Sequence, residues 1–224
     1  MPQRAVVSVG TGSYVAGLDR LHAWLLDHGE NHIWWRNAWP SDCPPHRTVP
    51  YAFKARALEI ASEQAEILLW ADSSIVPVKS LDPLWERIER DGYWIANNAW
   101  MNYEWTNEKA YEIFWPDRDI VAARIINKAI PHVMATSFGL NLVHPVGRAI
   151  YDEYLYYGLK TRAFCGPWHG EIGVRHRHDQ SALSIVAWRH EAKLTNCPDI
   201  LAYGKPDQVT DSRTILVADG SVNA

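Results

Sequence analysis

An apolar run, Ile67-Leu68-Leu69-Trp70-Ala71, stops abruptly at Asp72-Ser73-Ser74. Such a run reads as a strand covered on both faces, which puts the Asp72 carboxylate at the lip of a sheet, where an unpaired charge is costly. A divalent cation bridging a diphosphate would supply the pairing; a plain turn cap is the other explanation. A second group, Gly10-Thr11-Gly12-Ser13-Tyr14, lies between a strand-like and a helix-like segment, where amides and a positive dipole end can receive phosphate. It is not a dinucleotide fingerprint, because Val15 stands where the third glycine would be, and it lacks the lysine of a phosphate-cradling P-loop. A simple strand-to-helix turn would have the same composition. The third group is His169, His176 and His178 with Asp179 and Gln180. On a strand, His176 and His178 would share one face and could chelate. A catalytic zinc would need a third ligand and an activating acid, and no H-E-x-x-H occurs.

These side chains must be positioned by a chain of 224 residues, 47% hydrophobic and 21% charged, an ordinary globular composition that excludes disordered and fibrous classes. A net charge of −4 and a pI near 6.2 argue against a chain devoted to gripping nucleic acid, where counterion release needs a basic footprint. Three cysteines, Cys43, Cys165 and Cys197, are too few and too scattered for a disulfide framework or a four-thiolate zinc site. No segment reads as a secretory signal or a membrane span, so a cytoplasmic protein, soluble or peripheral to a membrane, is expected. The 12 Trp and 10 Tyr supply flat faces for sugars or bases as well as core filling.

The expected elements alternate. Strands are predicted at Arg4 to Val9, His32 to Trp35, Ile67 to Ala71 and Tyr93 to Ala96, with helices from the glycine turn through Leu18, Leu21, Leu25 and Leu26 to Gly29, over Phe53 to Gln64 and from Asp82-Pro83 to Gly92. Pro40 to Pro50 reads as loop. Two short strands, Val133 to Ala135 and Leu140 to Val143, are expected to flank Thr136-Ser137-Phe138-Gly139. Helices over Val146 to Tyr157 and Gln180 to Arg189, a glycine-rich loop from Cys165 to Gly173 and a closing strand at Ile215 to Val217 complete the pattern. Alternation of this kind predicts one α/β domain over 1–224 with a mostly parallel sheet flanked by helices. Ligands of such sheets bind beyond the carboxyl ends of the strands.

An apolar strand ending in Asp72-Ser73-Ser74, behind a first strand with a glycine turn, resembles the nucleotide-sugar glycosyltransferases of the GT-A fold, with serine in place of the second acid of their Asp-x-Asp motif. Ser137-Phe138-Gly139-Leu140-Asn141-Leu142 resembles the Asn-Ala-Gly-Val segment of the glycogenin-like family 8 group, and His178-Asp179-Gln180-Ser181-Ala182-Leu183-Ser184 resembles their Asp-Gln-Asp-x-Leu-Asn segment. Ser181 stands where an acid is usual, and the family's late His-x-x-Gly-x-x-Lys-Pro-Trp is only echoed by Gly204-Lys205-Pro206.

The resemblance implies a division of roles, with a nucleotide-binding half in 1–96 and an acceptor-binding half in 97–224. Val9, Thr11 and Tyr14 would contact the nucleoside, the tyrosine by stacking, with Ser73 beside them. Lys54 and Arg56 would meet the diphosphate. Asp72 and Ser74, with His178 as an extra ligand, would hold Mn²⁺ or Mg²⁺. Gly139 would let the backbone approach the sugar. Asp179 and Gln180 would sit at the anomeric carbon, Asp179 as a base in an inverting reaction or Gln180 as a stabiliser in a retaining one, the outcome the family favours.

The loop Asn98-Ala99-Trp100-Met101-Asn102-Tyr103-Glu104-Trp105 has the rings and hydrogen-bonding groups that sugar hydroxyls need, so Trp100 and Tyr103, with Trp168 and Glu171, are the acceptor-side candidates. The implied donor is a nucleotide-diphosphate sugar, UDP-linked by preference, and the acceptor a glycan or lipid-linked oligosaccharide. A hydroxylated base in DNA is an alternative acceptor, and a non-catalytic carbohydrate-binding module is an alternative class.

Overall fold

The computed structural model describes residues 3–219. The chain forms β1 (Arg4–Gly10), α1 (Val15–Asp27), β2 (His32–Arg36), α2 (Ala52–Ala61), β3 (Ile67–Ala71), β4 (Ile75–Pro77), α3 (Asp82–Asp91) and β5 (Tyr93–Met101). It continues with α4 (Glu108–Phe114), α5 (Ile120–Lys128), β6 (Pro131–Asn141), α6 (Pro145–Lys160), α7 (His178–Arg189), β7 (Thr195–Asn196), β8 (Leu201–Tyr203) and β9 (Leu216–Ala218). The main sheet has six strands in the order β2-β1-β3-β6-β5-β7. Only β6 runs against its neighbours: it pairs antiparallel with β3 and β5, while β1 is parallel to β2 and β3 and β5 is parallel to β7. A smaller sheet, β4-β9-β8, lies past the end of β3.

The alternation along β3 shows why the sheet is covered on both sides. Leu68 and Trp70 enter one core with α2, α6 and α7, and Ile67, Leu69 and Ala71 enter the other with α1 and α3, since successive strand side chains face opposite ways. Burying a Trp or Leu side chain contributes roughly 1.5–3 kcal/mol, so a fully buried run of five residues holds β3 firmly at the centre. The turn after α3 needs Gly92, whose φ of +86° is the left-handed conformation that closes a helix. Asn107, Asp119 and His144 accept amide protons in the first turns of α4, α5 and α6, satisfying donors a helix start leaves open.

Two expectations are corrected. Thr136-Ser137-Phe138-Gly139 is not a loop between short strands but the middle of the eleven-residue β6. Gly139 stays extended and pairs with Leu69 and Trp94. Its missing Cβ makes room for Ile88 of α3, which would lie 2.2 Å away. The aromatic stretch after Ala96 is not one loop either: β5 runs on to Met101, a 3₁₀ turn follows at Asn102–Trp105, and α4 begins at Glu108. Because β6 is inserted between β3 and β5, the two sequence halves interleave in one sheet.

Candidate active site

The chain turns sharply at the carboxyl end of β3. Asp72 donates its amide to Thr136 and accepts at its carbonyl from Ile75, so its side chain is fixed at the sheet edge. Trp70 Nε1 donates to Asp72 Oδ1 at 2.8 Å. Lys54, projecting from α2, places Nζ 3.0 Å from Asp72 Oδ1 and 3.0 Å from Asp179 Oδ2. It also donates to the Ala135 carbonyl at 2.8 Å. One ammonium thus joins the end of β3, the first turn of α7 and the middle of β6.

The exposures of the three differ. The side chains of Lys54 and Asp179 are 3% and 5% exposed, against 26% for Asp72. Burial pushes the carboxyls of both Asp72 and Asp179 up, with Lys54 partly offsetting it. Burial pulls Lys54 the other way, but the two carboxylates outweigh it and raise the ammonium above its usual range. With all three groups ionised the cluster carries one net negative charge, and Asp72 is the member that meets solvent.

Asp72 opens into a cavity of about 410 Å³ lined by Val9, Thr11, Tyr14, Trp39, His46, Tyr51, Phe53, Asp72, Ser73, Ser74 and Thr136. The structure therefore brings Val9, Thr11, Tyr14, Ser73 and Ser74 together with Asp72, and Lys54 and Asp179 stand directly behind it. In the glycine turn, Gly12 takes a left-handed φ of +57°. The Gly12 amide donates to Asn37 and the Tyr14 amide to Thr11, so two of the donors expected for phosphate are already occupied.

Several expected members lie elsewhere. Arg56 is two residues after Lys54, about 200° further around the helix; it faces out and binds Glu59, Asp42 and the Ser41 carbonyl. Gly139 packs on Ile88, as described above, and does not line the cavity. His176 and His178 share no strand face. Both ring nitrogens of His176 are engaged, with the Ala163 carbonyl and the Asn107 amide, and His178 Nδ1 binds the Phe164 carbonyl. Gln180 Nε2 donates to the Val133 carbonyl. Trp100 and Trp168 are both partly exposed and both border Arg177. Tyr103 instead faces Lys128, and Glu171 sits in an exposed turn outside the cavity.

The side chains around Asp72 do not form a site for a resident cation. Among the described residues, no three His, Cys, Asp or Glu side chains converge as metal ligands, and Lys54 stands between the two nearest carboxylates. An all-protein cage for Mn²⁺ or Mg²⁺ therefore does not fit. One partly exposed carboxylate beside a serine does fit a cation carried in by a diphosphate, which supplies most of its own ligands.

Sequence reasoning missed Tyr51, Trp39, His46 and Phe53 as cavity walls and Tyr51 as the strained member among them. Tyr51 has φ +60° and His178 φ +49°, a region that bulky residues rarely enter and that clusters at functional sites. The two rings stack at 5.5 Å, one immediately before α2 and the other at the start of α7. The sequence signal available was slight: aromatic residues around a proline-rich loop that precedes the helix of Lys54.

No protein-family model matches the chain, and no curated protein matches it in sequence. Solved structures do. A glycosyltransferase involved in the glycosylation of the major capsid of PBCV-1 is 12% identical over 97% of this chain and 92% of its own, with a TM-score of 0.54. Mouse xyloside xylosyltransferase 1, in its apo form, is 9% identical over 100% and 99%, also at 0.54. The WbbM bifunctional glycosyltransferase is 10% identical over 98% of this chain and 46% of its own, at 0.55. This chain is thus similar in fold to glycosyltransferases of GT-A-like architecture.

Proposed function

We propose that this chain is a glycosyltransferase that moves a sugar from a nucleotide-diphosphate donor, UDP-linked by preference, to an acceptor hydroxyl. The observation that carries the reading is the meeting of Asp72 and the turn after β1 around one cavity, with Asp179 tied to Asp72 through Lys54 behind the wall, on a sheet whose fold is that of glycosyltransferases. Tyr14 and the neighbouring aromatic wall would stack on the base, with Val9 and Thr11 against the nucleoside. Asp72, with Ser74, would receive a Mn²⁺ or Mg²⁺ ion accompanying the diphosphate; such an ion neutralises charge that builds on a phosphate leaving group.

The pairing of Lys54 with Asp179 bears on the choice of mechanism. A carboxylate that is 5% exposed and bound to an ammonium is poorly placed to take a proton from an incoming hydroxyl. Asp179 therefore acts as a positioning residue that orients Lys54 and Asp72. The retaining course follows: the bond from the anomeric carbon to the phosphate oxygen breaks, the acceptor oxygen bonds to that carbon on the same face, and the acceptor proton passes to the departing phosphate.

No helix among the described residues is long and apolar enough to cross a membrane, and the acceptor is proposed as a glycan or a lipid-linked oligosaccharide. A thermal-shift screen of nucleotide sugars with and without Mn²⁺ tests the reading, since a ligand of the folded state raises the melting temperature by mass action. A shift with UDP-sugars that is absent in Asp72→Asn is expected; no shift with any nucleotide sugar would overturn it.

A further inference from the structure

Arg177, the residue before His178, has an unusual setting. Its guanidinium carbon lies 4.2 Å from the Trp168 ring centroid, 4.5 Å from Trp105 and 5.8 Å from Trp100. Among the described residues, its side chain makes no hydrogen bond or ion pair, and Nε is buried without a partner. The other half-buried arginines each reach an acid or a carbonyl: Arg4 with Glu89, Arg20 with Asp219, Arg56 with Glu59, Arg87 with Asp91, Arg175 with the Glu104 carbonyl and Arg189 with Glu153. Cation–π contact offsets part of the desolvation of Arg177, yet its donors stay unmatched, and buried donors are normally satisfied. Arg175 stacks on the same Trp105 at 3.9 Å, so two cations share one indole, and among the described residues neither makes an ion pair.

The position of this cluster is set by its neighbours. Trp168 stacks on Tyr51 at 6.3 Å and on His178 at 5.4 Å, and Tyr51 is a wall of the cavity that holds Asp72. Arg177 therefore lies beyond the Tyr51–Trp168 wall, on the side of the indoles expected to meet an acceptor. A planar fork of free N–H groups between exposed indoles matches a carboxylate or phosphate attached to a sugar ring: the fork takes the anion in two parallel hydrogen bonds, and the indoles take the apolar face of the ring.

We infer that Arg177 is the recognition group for an anionic acceptor, a saccharide carrying a carboxylate or phosphate close to the hydroxyl that receives the transferred sugar. The inference rests on the glycosyltransferase reading and names the substrate class of that site. The subsite selects charge, with Trp100 and Trp168 as its flanks and Arg175 adding positive potential without direct contact.

The test is a tryptophan-fluorescence titration of the whole chain, saturated with UDP and Mn²⁺, using glucuronate, glucose 6-phosphate and glucose as probes. Both anionic sugars are expected to bind at least ten-fold more tightly than glucose; Arg177→Gln should abolish the difference and Arg177→Lys should keep part of it. Affinity for UDP, measured separately, should change less than two-fold in either variant. Equal binding of the three sugars by the unaltered chain would overturn the inference without needing any variant, and so would an anionic preference that survives Arg177→Gln. A ten-fold loss of UDP affinity in Arg177→Gln would assign the guanidinium to the donor diphosphate instead. Failure of the unaltered chain to bind UDP at all would strike the glycosyltransferase reading itself, a result distinct from these.

Discussion

Asp72 and Asp179, one at the end of β3 and the other in the first turn of α7, are bound by the same ammonium, with Lys54 Nζ at 3.0 Å from each. The contact joins the cavity wall to the first turn of α7.

Removing the shared cation leaves two carboxylates facing each other in a site that is closed on the Asp179 side. Breaking a buried ion pair on one side typically costs about 3–5 kcal/mol, so Lys54→Met should lower unfolding free energy by that order in a urea melt. Adding Asp179→Asn should recover much of the stability, because the uncompensated charge is gone, but not transfer. Additive losses in this double-mutant cycle would show that the three groups do not act as one unit.

Gly139 is explained by packing. A Cβ there would lie 2.2 Å from Ile88 Cδ1 and 2.7 Å from Cγ1, so Gly139→Ala should destabilise by about 1–3 kcal/mol through overpacking. Ile88→Val, which retracts the colliding end, should restore part of that. Nucleotide affinity in the folded Gly139→Ala protein should match the parent; a selective loss of affinity with unchanged stability would return Gly139 to the sugar site.

The sequence and the structure agree best where a local physical rule acts alone. The fully apolar Ile67–Ala71 run can bury itself only as a central strand, and Gly92 stops α3 because it takes a left-handed φ that most residues avoid. Asp72 was legible because a charge at the end of such a strand needs a partner. That its partner is Lys54 was not: Lys54 and Arg56 look alike in sequence, and only helical phase against α6 and β1 decides which of them turns inward. The continuity of β6 was hidden because Thr136-Ser137-Phe138-Gly139 reads as a turn until Ile88 is seen to need the space at the glycine. Arg177 was invisible because its indole partners come from two stretches far apart in sequence, one with Trp100 and Trp105 and the other with Trp168.

Tyr14 is 47% exposed at the cavity mouth, so it contributes little to folding. If its ring stacks on the base, Tyr14→Ala should weaken nucleotide binding by about ten-fold or more with an unchanged melting temperature, and Tyr14→Phe should be close to neutral. Calorimetric titration with UDP measures both; equal affinities in the alanine variant and the parent would remove Tyr14 from the base site.

Acid sensitivity has an identifiable source. Burial, helped by the charges of Arg177 and His176, pushes His132 down to about 3, and burial pushes His176 down to about 4. Below the ordinary histidine value of 6.5 the unfolded chain takes up protons on these rings and the folded chain does not. Each therefore contributes stability fully above pH 6.5 that declines towards its folded value, at about 1.4 kcal/mol per pH unit. The raised carboxyls of Asp72 and Asp179 act in the opposite sense, so the informative quantity is a difference of slopes. His132→Gln, which can still donate to Asn102, should lose stability between pH 6 and pH 4.5 less steeply than the parent by about 1.4 kcal/mol per unit. Parallel curves would mean that His132 is not held neutral.

The central claim is that Asp72 is the protein's carboxylate toward a nucleotide diphosphate and its cation. Calorimetric titration of UDP into the chain with Mn²⁺, with EDTA, and into Asp72→Asn tests it most directly. Tight binding with Mn²⁺ that falls at least ten-fold both in EDTA and in Asp72→Asn is the predicted result. Binding of UDP that is indifferent to the cation and to the loss of the Asp72 charge would contradict the account.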